Sequence, residues 1–155
     1  MKLKTFLCCL LAAVMIFSAG IFTIFLLHNG AEAQGGSNND TQLLARCVNG
    51  EARGESYTGQ VAVAAVILNR VRHPSFPNTL SGVIYQPGAF TAVTDGQINV
   101  PIDTNSQIYQ ACADAMNGWD PSGGAIYYYN PEKTTNQWIY SREVIKTIGK
   151  HVFAR

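Results

Sequence analysis

A mainly helical α+β domain of about 120 residues, with a small β element near its C-terminus, is the fold class this sequence predicts. Three observations carry it. Apolar residues recur at helical spacing over residues 41–52 and 106–117. Residues 61–68 are apolar on every side, the mark of a buried helix. The β-leaning runs, at 125–129, 138–140 and 152–153, are short, rich in aromatics and gathered late in the chain.

The elements follow in order. Lys2 and Lys4 open a basic start, an uncharged apolar run extends from Thr5 to Leu27, and Ala31-Glu32-Ala33 is a small-x-small site. That order is the grammar of an export signal cleaved after Ala33. The run is also long enough for an uncleaved membrane anchor, and both readings place the remainder outside the cytoplasmic membrane. Membrane contact is expected through residues 1–33 alone. Residues 34–40, polar and Gly-rich, read as a flexible linker, and residues 41–155 as the folded domain.

Leu43, Leu44, Cys47 and Val48 give the first helix its apolar face, with Asp40 or Thr41 as cap. Arg53-Gly54-Glu55-Ser56 breaks it. A second helix is expected over 58–72, ended by His73-Pro74, and a short third over 79–85, stopped before Pro87-Gly88. Residues 90–103 read as irregular, with Asp95-Gly96 as a turn. The helix over 106–117 is apolar at Ile108, Ala111, Cys112, Ala115 and Met116, and Gly118 ends it.

Composition excludes several functions. The chain holds eleven basic and ten acidic residues, and removal of residues 1–33 takes away Lys2, Lys4 and Glu32, leaving no net charge. A nucleic-acid partner would call for a basic stripe. Of three histidines, His73 and His151 lie in the domain, and neither His-x-x-x-His nor Cys-x-x-Cys spacing occurs, so no metal or other cofactor is expected. Cys47 and Cys112 fall on apolar helix faces, which predicts buried free thiols rather than nucleophiles or a disulfide. No Gly-x-Ser-x-Gly marks a serine hydrolase.

Carboxylates remain. Glu51 and Glu55 stand in Asn49-Gly50-Glu51-Ala52-Arg53-Gly54-Glu55, with Glu51 in the last turn of the first helix. A carboxyl there meets the negative end of the helix dipole, which favours the protonated form a general acid must donate from. Glycoside cleavage requires such an acid at the leaving oxygen. The plainer reading makes both residues solvated turn groups beside Arg53, and Glu55 equally a charge at the start of the second helix. Sugar rings bind to aromatic faces and neutral polar groups. Phe90, Gln97, Tyr127, Tyr129 and Trp138 are the candidates, with Trp119, Tyr128, Tyr140, Asn99 and Asn130 nearby in sequence. Strand alternation sends Tyr127 and Tyr129 to one face and Tyr128 to the other, one face being core.

Three stretches together closely resemble one family: Asn49 to Glu55, Gly59-Gln60-Val61-Ala62-Val63-Ala64-Ala65-Val66-Ile67-Leu68-Asn69-Arg70-Val71, and Gly118-Trp119-Asp120-Pro121-Ser122-Gly123-Gly124-Ala125. Ser75 to Thr79 and Ile148-Gly149-Lys150-His151 add to it. The resemblance is to the catalytic domain of the SleB-CwlJ family of spore cortex-lytic cell wall hydrolases, and it covers residues 43–153. It implies a lysozyme-like or lytic-transglycosylase-like fold, and cleavage between N-acetylmuramic acid and N-acetylglucosamine in spore cortex during germination. The family's catalytic glutamate falls on Glu51, and Glu55 matches a second acidic position. The expected partners are peptidoglycan glycan strands and an unidentified regulatory protein. In one departure, the export segment leads almost directly into Thr41, where the spore enzyme carries a peptidoglycan-binding module. That leaves vegetative wall as an alternative substrate. Muramidase hydrolysis is the near alternative chemistry. An N-acetylmuramoyl-L-alanine amidase would call for zinc-ligating histidines, and a silent wall-binding module would leave the glutamates structural.

Overall fold

The computed structural model describes residues 38–155, and the export segment predicted over 1–33 lies outside them. Residues Asn39–Arg155 form one compact unit. Its first helix, α1, is described over residues 38–52, so residues 38–40 of the predicted linker are already helical. Leu44, Ala45, Cys47 and Val48 are its buried face.

Helix α2 (Tyr57–Arg72) starts where Ser56 accepts from the Gly59 N–H, satisfying one of the free amides of the first turn. It is buried without interruption from Gly59 to Ile67. Small and β-branched residues let other elements approach it from every side, among them α5 (Gln107–Met116), capped by Ser106. Ile108, Ala111, Cys112 and Ala115 are the buried face of α5. Truncating a large side chain in this core, Ile67 for instance, costs about 2–5 kcal/mol.

Between these helices lie α3 (Leu80–Ile84, capped by Thr79), α4 (Thr91–Thr94) and a 3-10 turn at Gln97–Asn99. The last two occupy part of the irregular stretch expected over 90–103, which stays irregular over 101–103. The Asp95-Gly96 turn stands, with Gly96 at φ 81°, a left-handed conformation that joins the two short helical pieces.

Three short strands, β1 (Tyr127–Tyr129), β2 (Val144–Ile148) and β3 (His151–Ala154), pair antiparallel in the order β1-β3-β2. Tyr128 stands opposite Phe153, one of the largest fully buried side chains. Two expectations are corrected. Residues 138–140 are not a strand but part of a 3-10 helix (Gln137–Ser141), because the Asn136 side chain caps the Trp138 N–H and turns the chain. Strand β2 was not anticipated, although Val144, Ile145, Thr147 and Ile148 are all β-branched. It is an outer strand with little burial, so no alternating pattern announces it. The helical body with a small antiparallel sheet is the predicted class. Cys47 and Cys112 are buried free thiols, and burial pushes the Cys112 thiol up to about 12.

Candidate active site

A cleft of about 610 Å³ opens where α1 ends, and Glu51, Glu55, Arg70, Tyr128, Tyr129 and His151 are among its lining residues. Its construction can be followed outward from Glu51. The last turn of α1 puts that side chain at the cleft, half-buried. Oε1 accepts from the Ala92 N–H at 2.7 Å, and the Tyr128 hydroxyl donates to Oε2 at 2.9 Å.

Both contacts have a local cause. A Cβ on Gly50 would stand 2.5 Å from the Ala92 Cβ, so only glycine lets α4 come close enough for its amide to reach the carboxyl. Tyr128 is the middle residue of β1. Its ring packs against Phe153 (6.2 Å between centroids) and edge-on to His151 (5.1 Å), which aims the hydroxyl at Glu51. Burial, and then the charge of Glu51, hold the Tyr128 phenol well above its usual range, so it stays neutral.

The Glu55 carboxylate is held on the same cleft by another close approach. Its Oε2 accepts from the Lys150 N–H at 3.1 Å and occupies the place a Cβ on Gly149 would take. Gly149 has φ 58°, as the β2–β3 turn requires. His151 follows, buried, with Nδ1 lacking a hydrogen-bond partner. Burial lowers its pKa below the usual 6.5, more than offsetting the upward pull of Glu55 and Glu51.

The residues predicted for sugar binding divide. Tyr129 lines the cleft beside Glu51 and Glu55. Phe90, Gln97, Tyr127 and Trp138 do not, and each has another occupation. Phe90 is only 3% exposed and its ring lies 5.0 Å from the Arg70 guanidinium, so it is core packing. The side-chain oxygen of Gln97 accepts from Arg53 at 2.7 Å, bracing the turn after α1. Tyr127 packs against Phe76 and Trp138, and exposed Trp138 carries the Arg142 guanidinium 4.4 Å from its ring.

Residue-by-residue reading missed Arg70 and the Ala92 amide, and considered Tyr128 only as a sugar-facing or core aromatic and His151 only as a zinc ligand. For Tyr128 a signal existed, since strand alternation already separated it from its two neighbours. Backbone groups such as the Ala92 N–H carry no sequence signal. Among the described residues no group of three His, Cys, Asp or Glu side chains is arranged to hold a metal ion.

Two carboxyl groups held at one cleft of a helical domain suit acid–base chemistry. The chain belongs to the cell wall hydrolase family, whose model matches residues 54–154. It is 60% identical over 121 residues to the spore cortex-lytic enzyme of Bacillus cereus, a match covering 78% of this chain and 46% of that protein. The chain therefore spans about half the length of that relative. The catalytic domain of the Bacillus cereus SleB protein has the same fold, with TM-score 0.71 and 58% identity over 76% of this chain and 91% of that domain. The catalytic domain of the germination-specific lytic transglycosylase SleB from Bacillus anthracis matches equally, at TM-score 0.71 and 58% identity, covering 76% of this chain and 94% of that one.

Proposed function

We propose that this chain is exported and cuts peptidoglycan glycan strands in the spore cortex as a lytic transglycosylase, with Glu51 as both acid and base. The observation that carries the reading is the Glu51 carboxyl, held at the cleft by one amide and one phenol. The spore cortex-lytic relatives and the lytic transglycosylase among the solved structures support it.

The two partners of Glu51 suit a group that must change state. The Ala92 N–H can only donate, so Oε1 is always an acceptor and the acidic proton belongs on Oε2. The Tyr128 hydroxyl donates to Oε2 and occupies one of its two lone-pair positions, so its contact holds before and after the proton leaves the other. Oε2 gives its proton to the glycosidic oxygen as the C–O bond breaks at the muramoyl anomeric carbon. The resulting carboxylate then takes the proton of the muramoyl C6 hydroxyl, whose oxygen bonds to that carbon. The product is a 1,6-anhydromuramoyl end, formed without water and with one carboxyl group where other glycosidases use two. Glu55, fastened to Lys150 and Gly149, shapes the cleft and keeps a second negative charge near the developing cation.

Digestion of purified cortex and of vegetative peptidoglycan, read by mass spectrometry, tests this. Anhydro ends, lighter by one water than reducing muramic ends, are expected from cortex, and Glu51→Gln should release them at least about 10²-fold more slowly. Reducing ends would assign muramidase hydrolysis instead. Free amino-terminal alanine, lost on adding a chelator, would assign amidase chemistry. Full activity in a folded Glu51→Gln variant would refute the role of Glu51.

A further inference from the structure

Arg70, in the last turn of α2, is 8% exposed, yet it lines the cleft. Its Nε donates to the Ile126 carbonyl at 2.7 Å. Its guanidinium is boxed by the rings of Phe90, Phe76 and Tyr127, at 5.0, 5.3 and 5.7 Å from their centroids. Those contacts account for its position but not for all of its hydrogen-bonding capacity. The two Nη groups have no hydrogen-bond partner among the described residues and are not sealed in, on a residue that lines the cleft.

No carboxylate is paired with it. The one ion pair among the described residues is Arg155 with Glu143, far along the chain. Glu51 is near enough for its charge to act on Arg70, but the two form no ion pair. A desolvated guanidinium without a counter-ion is costly, and proteins seldom keep one without a use. Three aromatic faces and a backbone carbonyl orient this one while leaving a two-pronged donor free, the geometry that matches a planar carboxyl-type group.

We propose that Arg70 is a substrate-binding residue on the cleft floor, taking the carboxyl-derived oxygens, carboxylate or amide carbonyl, of the lactyl arm of a muramoyl residue. The inference rests on the glycan-cleaving reading of the same cleft. Of the two alternating sugars, only the muramoyl residue carries that arm, and both carry the N-acetyl group. Arg70 therefore sets which sugar lies against Glu51, and with it which of the two glycosidic linkages is cut.

The test uses the full chain carrying Glu51→Gln, titrated separately with N-acetylmuramic acid and N-acetylglucosamine and followed by NMR. Binding of N-acetylmuramic acid is expected to be about tenfold tighter, the size of one charge-assisted hydrogen bond. Its addition should shift the Arg70 guanidinium nitrogen resonances, and N-acetylglucosamine should leave them in place. Adding Arg70→Gln should erase the difference between the sugars, and Arg70→Lys should retain part of it. If Arg70→Gln does not fold, the guanidinium resonances and the lysine variant still decide. Equal binding of the two sugars, binding of neither, or unmoved Arg70 resonances at saturation would overturn the proposal. A preserved preference in a protein whose wild type releases no glycan fragments would instead defeat the proposed activity and leave this site standing.

Discussion

Asp120 and Glu51 are both partly buried carboxyl groups at the end of a helix or its following turn, and the protein treats them in opposite ways. Asp120 accepts from the Ser122 amide and hydroxyl, the Gly124 amide and the Asn69 side chain. Those bonds outweigh the cost of burial and hold its carboxyl below the usual range. All of its acceptor capacity is spent on its own turn and on Asn69, tying the turn after α5 to α2. Glu51 accepts from only Ala92 and Tyr128, and its remaining capacity faces a cleft. Under the proposed function, the contrast separates a structural carboxylate from a reacting one. The first is saturated by donors that cannot leave, and the second is held in place but left partly unsatisfied where a ligand can reach it.

The largest expected effect exploits that difference directly. Glu51→Gln should lower the rate of cortex solubilisation about 10²- to 10⁴-fold, the usual worth of a general acid. Its urea midpoint should hardly move, since the amide can still accept from Ala92 and meet Tyr128. Asp120→Ala should do the reverse. Losing four hydrogen bonds to one carboxylate predicts destabilisation of about 2–4 kcal/mol in urea unfolding, with rate per folded molecule retained. If the two variants behaved alike, the distinction between saturated and open carboxyls would fail.

Two smaller changes sharpen the account of how Glu51 is held. Tyr128→Phe removes one contact to the carboxyl and should reduce the rate about tenfold, with roughly 1 kcal/mol lost in stability. Gly50→Ala drives a methyl into Ala92 and should cost activity more than Gly54→Ala, because a Cβ on Gly54 meets nothing within 4 Å. Equal activity in both glycine variants would remove the close approach of α4 from the explanation.

The smallest effect concerns His151. Its pKa is lowered in the fold, mainly by burial, so the unfolded chain takes up its proton first as pH falls. Stability should therefore decline as pH drops below about 6.5 and level off below the folded pKa. His151→Gln should flatten that part of the profile, measured as urea midpoints between pH 7.5 and 5. An unchanged slope would assign the decline to other groups.

Much of this was legible in residue order, and for identifiable reasons. Helix α2 declared itself because a run from Val61 to Leu68 has no polar side to expose. Helix α5 showed in its apolar spacing, while Thr79 and Ser106, read as the first helical residues, are the caps of α3 and α5. The short pieces after Phe90 and the strand Val144–Ile148 were illegible because few side chains there are buried and no period develops. Phe90 and Trp138 looked like sugar platforms because an aromatic ring has the same composition signal whether it faces core, solvent or ligand. The fold puts Phe90 beneath Arg70 and Trp138 on a separate exposed turn.

What the sequence determined by itself was local: helix periods, caps, the glycines at Gly50 and Gly149, and a glutamate at a helix end. These depend on neighbours a few residues away, and their chemistry is written in consecutive positions. What only tertiary structure decided was company. Ala92, Tyr128 and Arg70 come to the cleft from residues 41, 77 and 19 positions beyond Glu51. Their roles depend on directions and separations in space, which arise only once α1, α2 and the sheet are packed around one core.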